Sequence, residues 1–495
     1  LLEGLEVVEI NLNDLLKENR TFRIDSEYFK KKYLKNLQNI KKSNSGYIKL
    51  NEAIVHMSGG ATPLGAEYQT DGVPFLRVQN IMQNYFNLND VVYLSKKQDG
   101  EIKRSRLKEK DVLLTITGVS YGKSATITKK LEGANINQHS VKISLNNKLN
   151  PYFLSTFLNC KFGKLQSDKN IVGVTRPALD YMVIRNFAIP NLSDTFQEKI
   201  EELIKLSEKR INHSKQIYTQ AENLLLEEIG LKDFTPSNSP QKEGCPKGGV
   251  VNVNIKSFKD SFLSSGRLDA EYYQSKYEEV VERIKENNYE KLADIINIKK
   301  SIEPGSNAYS EEGLPFLRVA DYNKLGLSEP QKCLSITYVK ENAKKLNNLK
   351  PKAETILFSK DGTVGMAYML KENQNFITSG AILHLTVKNK EQILPEYLTL
   401  VLNSKLVQMQ AERDAGGSII MHWRVGEIEN VIVPIIDFSK QQKIANLVEE
   451  SFKLKKQSEQ LLELAKTAVE KAIEESEEKA MEYINKGFAE ISNNK

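Results

Sequence analysis

Apolar and small residues recur in alternating steps of three and four along two stretches of the chain. The first set is Ile200, Leu203, Ser207, Ser214, Ile217, Ala221 and Leu224; the second is Ile444, Leu447, Ser451, Leu454, Ser458, Leu461, Ala465 and Ala468. This spacing keeps one seam of a helix facing a partner and predicts two long coiled-coil helices. Ile200, Leu203, Ile217 and Leu224 are expected to carry the seam of one, and Ile444, Leu447, Leu454 and Leu461 that of the other. Seam serines permit close approach, while Arg210, opposite Leu454, breaks the pattern. Thr195-x-x-Glu198 and Ser439-x-x-Gln442 read as capping boxes, and Gly230 as the residue that ends the first helix. Ile200 and Ile444 lie 244 residues apart. Two equivalent helices in one chain most simply pair with each other, here as an antiparallel couple.

Nearly the same interval recurs upstream. Strand-like Val7–Asn11 matches Val250–Asn254, and Arg23-Ile24-Asp25 matches Arg267-Leu268-Asp269. Gly72-Val73-Pro74-Phe75-Leu76-Arg77-Val78 is repeated as Gly313-Leu314-Pro315-Phe316-Leu317-Arg318-Val319, a turn feeding a strand. Further strands are expected at Asp111–Thr117 and Glu354–Lys360, helices at Tyr152–Gln166 and Glu396–Gln410, and final strands ending at Pro190 and Pro434. A Pro- and Gly-rich stretch over 231–249 has linker composition. The chain therefore divides into a globular part at 1–193, a helix at 194–230, the linker, a second globular part at 250–437, a second helix at 438–487 and a tail at 488–495. The fold class is α+β: two pseudo-repeated α/β domains separated and joined by two long antiparallel coiled-coil helices.

Composition adds little. A net charge of +6 over 495 residues permits nucleic-acid binding without arguing for it. No apolar run of ~20 residues and no signal peptide is present, so a cytoplasmic, soluble protein is expected. Cys160, Cys245 and Cys333 are too scattered for a disulfide framework or a zinc site, and the five histidines lack metal-ligand spacing. Gly118-Val119-Ser120-Tyr121-Gly122-Lys123-Ser124 looks like a phosphate loop but is one residue short, and the second half reads Gly362-Thr363-Val364-Gly365-Met366. A tight turn is expected there. Glu474-Glu475-Ser476-Glu477-Glu478 reads as a solvated helix face. No methyltransferase, nuclease or ATPase motif is visible, so no catalytic residue, metal or cofactor is assigned to this chain.

The halves differ in their polar loops. Gln79-Asn80 is replaced by Ala320-Asp321, Thr117 by Lys360, Lys123 by Met366, Asn137-Gln138 by Thr378-Ser379, and the stretch from Arg176 by one ending in Arg424. Amides suit adenine and basic side chains suit guanine in a DNA major groove. Arg77 and Arg318, being shared, suit phosphate contact, which positions without specifying. The candidate nucleic-acid set is Thr62, Arg77, Gln79, Asn80, Thr117, Lys123, Asn137, Gln138 and Arg176 with Arg318, Asp321, Lys360, Thr378 and Arg424. On residues alone, a coiled-coil scaffold whose globular units bind proteins stays open.

The repeated Gly-x-Pro-Phe-Leu-Arg-Val word, the glycine-rich loop with Thr62-Pro63, and the strands ending at Pro190 and Pro434 just before the helices are similar to specificity subunits of type I restriction–modification systems. The resemblance runs over nearly the whole chain. It implies two target-recognition domains, each reading one half of a split, asymmetric duplex DNA sequence. It also implies that the paired helices dock two methyltransferase subunits, which use S-adenosylmethionine, and that two restriction subunits join, using ATP and Mg. The second copy of the loop, Glu303-Pro304-Gly305, departs from the Thr-Pro pattern.

Overall fold

The computed structural model describes residues 7–13, 23–43, 45–65, 67–118, 120–173, 177–232, 234 and 254–493. The chain forms two compact units, Leu1–Asn212 with Lys455–Lys495, and His213–Leu454.

In unit 1, helix α1 (Lys31–Lys42) precedes β1 (Tyr47–Lys49), β2 (Ile54–Gly59), β3 (Val73–Leu76) and β4 (Val92–Leu94). After helix α2 (Lys96–Glu101) come β5 (Val112–Thr115), β6 (Ser124–Thr126), β7 (Asn135–Ile136) and β8 (Ser140–Leu145). Helices α3 (Pro151–Asn159), α4 (Lys161–Asn170) and α5 (Tyr181–Arg185) lead to β9 (Ala188–Pro190) and the long α6 (Asp194–Glu228). Strands pair as an antiparallel sheet β2-β8-β5-β6, a sheet β4-β3-β7 whose β3–β7 edge is parallel, and a ribbon β1-β9. Helix α3 is almost wholly buried; Asn150 caps it by accepting from Tyr152 and Phe153, and Pro151 takes the first turn.

Unit 2 repeats this plan. Helices α7 (Phe262–Ser265) and α8 (Ser275–Lys285) precede β10 (Tyr289–Lys291), α9 (Leu292–Ile295), β11 (Ile296–Lys300), β12 (Tyr309–Ser310) and β13 (Leu314–Leu317). Then come β14 (Tyr322–Asn323), β15 (Gly326–Leu327), β16 (Cys333–Leu334), α10 (Ile336–Glu341) and α11 (Ala343–Leu349). The remainder is β17 (Ile356–Ser359), β18 (Ala367–Met369), β19 (Ile377–Thr378), β20 (Ile382–Val387), α12 (Pro395–Asn403), α13 (Lys405–Asp414), α14 (Val425–Glu429), β21 (Ile432–Pro434) and α15 (Phe438–Glu474). The sheets are β11-β20-β17-β18, β12-β16-β13-β19 with β13–β19 parallel, and a ribbon β10-β21. A last helix, α16 (Glu477–Asn493), belongs to unit 1.

Buried or half-buried amides shared by the copies hold the strands where no ladder can. Gln166 brackets both backbone groups of Ala188 in unit 1, and Gln410 does the same to Ile432 in unit 2. Asn159 accepts from the Ser124 N–H and donates to its carbonyl; Asn403 repeats this with Ala367. Gln197 and Gln441, both buried, tie the starts of α6 and α15 to the loops before α3 and α12. The repeated glycine word has a steric reason. Gly72 and Gly313 hold φ of +128° and +142°, and a side chain at either would run into the carbonyl oxygen of Leu94 or Leu334.

The two long helices pair antiparallel inside each unit. In unit 1 Ser207 and Ser458 exchange hydroxyl-to-carbonyl bonds of 3.0 and 2.9 Å, and Arg210 donates to Gln457. In unit 2 the Ser451 hydroxyl donates to the Ser214 carbonyl at 2.9 Å, and Lys440 bonds Glu228 at 2.6 Å. Seam residues Ile200, Leu203, Ile217, Ile444 and Leu461 are buried, but Leu224, Leu447 and Leu454 are only half-buried. Leu225 and Val448 take the interior instead, because each helix also packs on its globular core and so turns a wider stripe inward than a coiled-coil seam.

Helix ends differ from the pattern's expectation in three places. The cap of α6 is Ser193, whose hydroxyl accepts from Phe196, rather than Thr195. Gly230 does end α6, with Leu231 donating to Leu226 and Gly230 to Glu227 in a Schellman turn. The expected single helix 438–487 breaks after Glu474, and α16 folds back so that Gln457 donates to the Ile491 carbonyl. Gly487 lets it approach the Leu464 side chain, and the expected tail 488–495 is helical through Asn493. The break has a physical cause in the acidic run: Glu477 accepts from the Ser193 backbone and from the Ser193 and Ser45 hydroxyls, so it caps α6 instead of facing water. Val7–Asn11 is not a strand, and most of the linker and of Val250–Asn254 lies outside the described residues.

Candidate nucleic-acid interface

In unit 1, β2, β3, β5 and β7 end side by side. Ala61 donates to Ile136 at 3.0 Å, Asn137 to Leu76 at 3.2 Å and Ile116 to His139 at 3.0 Å. Gly60 leaves room for this convergence, since a side chain there would strike the Ile136 and Asn137 carbonyls. The result is a polar rim. Thr62 donates to the Gln138 side-chain carbonyl, both residues being exposed, and Thr117 shares a hydrogen bond of 2.6 Å with His139 Nδ1. Asn137 turns inward along the chain, accepting from the His139 backbone at 3.3 Å.

Arg77 lies beside this rim. It donates to the Asp90 carbonyl at 2.8 Å and its guanidinium stands 5.9 Å from the Tyr68 ring, which stacks on Phe75. Exposed Gln79 donates to the Asp90 carboxylate. Asn80 is fully buried: it accepts from Arg77 N and donates to Asn87 and Asp90, so its role is to close the turn, not to meet a ligand. The Lys123 side chain makes no hydrogen bond or ion pair among the described residues, and Arg176 lies outside them. The string Gly118–Ser124 is the turn between β5 and β6, with Gly122 donating to Thr115 and the Thr115 hydroxyl donating to Ser120.

Unit 2 builds the same rim from other side chains. Arg318 pairs with Asp321, which is buried like Asn80 and closes the same turn, so it too leaves the contact set. Lys360 pairs with Asp361, whose other oxygen meets His422 Nδ1 at 2.8 Å; Arg424 is exposed, 3.9 Å from Glu427. Thr378 is fully buried and bonds His384 Nε2 at 2.8 Å, so it cannot meet a ligand.

The reason lies in the alignment of the copies. The turn from Thr115 to Lys123 is one residue longer than that from Ser359 to Met366, both closed by the same backbone bond. Thr117 therefore corresponds to Asp361, which bridges His422 as Thr117 bridges Ala178, and not to Lys360. Likewise Leu76 pairs with Ile136 and Leu317 with Thr378, so Asn137 corresponds to Ser379. Sequence reading missed Tyr68 and Tyr309, His139, Asp361 and His422. Tyr68 and Tyr309 were discoverable, being separated by the same 241 residues as Arg77 and Arg318.

His384 gives a pH prediction. Burial, aided by Lys299, pushes its imidazole down to about 4. An unfolded histidine titrates near ~6.5, so below that pH the unfolded chain takes a proton that the folded chain refuses. Stability contributed by neutral His384 is thus lost as pH falls from about 6.5 towards 4, by roughly 2 kcal/mol at about pH 5. Denaturant unfolding at several pH values should show a shallower acid loss in His384→Gln; parallel curves for the two proteins would sink this account.

Among the described residues no group of three or more His, Cys, Asp or Glu side chains could hold a metal ion, and no helix is long and apolar enough to cross a membrane. Two units of like strand order thus carry unlike polar rims. Residues 284–464 match the family model described as the type I restriction modification DNA specificity domain. The match falls in the second half of the chain, whose strand order the first half repeats.

Solved structures with a similar arrangement include the type I restriction–modification S subunit from M. genitalium (12% identity, 88% of this chain and 96% of that chain, TM-score 0.38). The HsdS subunit from Thermoanaerobacter tengcongensis aligns at 14% identity over 87% of this chain and 96% of that chain, TM-score 0.27. A chain from a type I R-M system solved for its complex assembly and conformational transition aligns at 15% identity over 89% and 97%, TM-score 0.27. No curated protein matches.

Proposed function

We propose that the two units read two different half-sites of one bipartite, asymmetric duplex DNA target, and that the chain directs methyltransferase and restriction subunits to it. The observation that carries this is the pairing of one scaffold with two rims: the places of Thr62, Gln138, Thr117 and His139 in unit 1 are taken in unit 2 by Glu303, Gly380, Asp361 and Ala381. Like strand frames with unlike polar groups suit unlike bases. The shared Arg77 and Arg318 suit phosphates. The paired helices would dock two methyltransferase subunits, with two restriction subunits joining them. S-adenosylmethionine, ATP and Mg would belong to those partners and no cofactor to this chain.

Mapping modified bases across the host genome with and without this gene tests the reading. Loss of modification at a split motif supports it; an unchanged pattern, together with DNA affinity indifferent to salt, favours the scaffold reading instead. In binding assays Arg77→Ala should weaken all sequences about equally. Gln138→Ala should relax one half-site by about 1–3 kcal/mol if its contact is bidentate. Preference unchanged in Gln138→Ala would remove that amide from the reading surface.

A further inference from the structure

Where unit 1 sets Thr62 against Gln138, unit 2 sets Glu303 against Gly380. The backbone establishes the equivalence. Asn137 and Ser379 each donate to the last residue of the preceding parallel strand, Leu76 at 3.2 Å and Leu317 at 2.9 Å, so Gln138 and Gly380 follow at the same place. Thr62-Pro63 and Glu303-Pro304 are 241 residues apart, the interval that also separates Arg77 from Arg318.

Gly380 leaves space beneath the Glu303 side chain. A side-chain carbon there would lie 2.9 Å from a Glu303 carboxylate oxygen, closer than such carbons come. The carboxylate leans over the bare glycine where unit 1 has an amide. Glu303 is exposed and forms no ion pair or hydrogen bond among the described residues. It stands near Tyr309, whose hydroxyl is held above its usual range first by burial and then by the Glu303 charge. Lys332 lies 4.6 Å from that ring, and the ring packs on Phe316 as Tyr68 packs on Phe75. The charge is therefore placed by its surroundings but left without a partner.

A carboxylate on a face that meets phosphates is repelled by every one of them. It is tolerable where a base offers it a donor. In the major groove cytosine presents only its N4 amine, which glutamate accepts, whereas adenine sets an N7 acceptor beside its amine and guanine presents two acceptors. An amide such as Gln138 carries both a donor and an acceptor and suits adenine.

We propose that Glu303 is a specificity-determining residue that reads a cytosine in the half-site of unit 2 by accepting a hydrogen bond from its N4 amine. This rests on the DNA-reading function above and adds the base class at one position. The test is selection from a pool of duplex oligonucleotides randomised over both half-sites, using the full chain in complex with its methyltransferase subunits. The parent chain should enrich cytosine at one position of one half-site. Glu303→Ala should lose that preference by roughly 5- to 150-fold with every other position retained. Glu303→Gln should shift it towards adenine. Because Glu303 is exposed, both variants should unfold like the parent. A motif left intact by Glu303→Ala, or relaxation at a position where the parent selects another base, overturns the proposal. A parent chain that enriches no sequence overturns the reader function itself, and this role with it.

Discussion

Gln410→Leu should lower the stability of unit 2 by about 2–4 kcal/mol, measured by denaturant titration of tryptophan fluorescence. The chain has one tryptophan, Trp423, buried in the unit 2 core 5.7 Å from Phe358, so its emission reports this unit. Gln410 is itself buried and makes two 3.0 Å bonds, one to the Ile432 carbonyl and one from its N–H. Leucine fills a similar space but leaves both backbone groups of Ile432 on that side without partners or water. Each orphaned group costs about 1–3 kcal/mol, and leucine's apolar burial returns part of that. A loss below about 1 kcal/mol would mean that β21 finds other partners on its own.

The second large effect is steric, and two glycines separate its components. Gly313 and Gly362 both hold positive φ, at +142° and +76°, but a side chain at 313 would meet the Leu334 carbonyl while one at 362 meets open space. Gly362→Ala should cost roughly 1–2 kcal/mol, the strain of a left-handed residue. Gly313→Ala should cost about 3 kcal/mol or more, because the β13–β16 pair must also separate to admit the methyl group. The same fluorescence titration reads both. Equal losses would mean that β16 yields freely and that the close approach in the repeated glycine word is incidental.

Much of this architecture is legible in the chain because duplication states it twice. The paired helices, the Gly-x-Pro-Phe-Leu-Arg-Val word and the Gly230 stop follow from period and turn chemistry, and the structure contains them. The rim was read less well. Asn80 and Asp321 are polar and follow a strand, which suggests a surface, yet both are spent on capping the backbone of Arg77 and Arg318. Thr378 was placed on the rim by a one-residue slip. Gapless matching from Leu76 and Leu317 overlooks that the stretch from Leu317 to its strand partner Thr378 is one residue longer than that from Leu76 to Ile136. The break at Glu475 was hidden for a related reason: no glycine or proline announces it, and the cause is a carboxylate needed elsewhere in the fold. The amide brackets of Gln166 and Gln410 were equally silent, since a buried glutamine looks like a surface one until its partners are known.

The serine contacts between the long helices carry a historical consequence. Ser207 and Ser451 are 244 residues apart, and so are Ser214 and Ser458. Ser207 meets Ser458, and Ser214 meets Ser451. The two contacts are thus a single handshake performed twice, each copy offering the hand that the other accepts. An ancestor of half this length would have borne both hands on one helix and could have clasped a second molecule of itself. Fusion of the two genes would have required no new interface. It would have released each head from having to match its twin, and with that release the two rims were free to diverge.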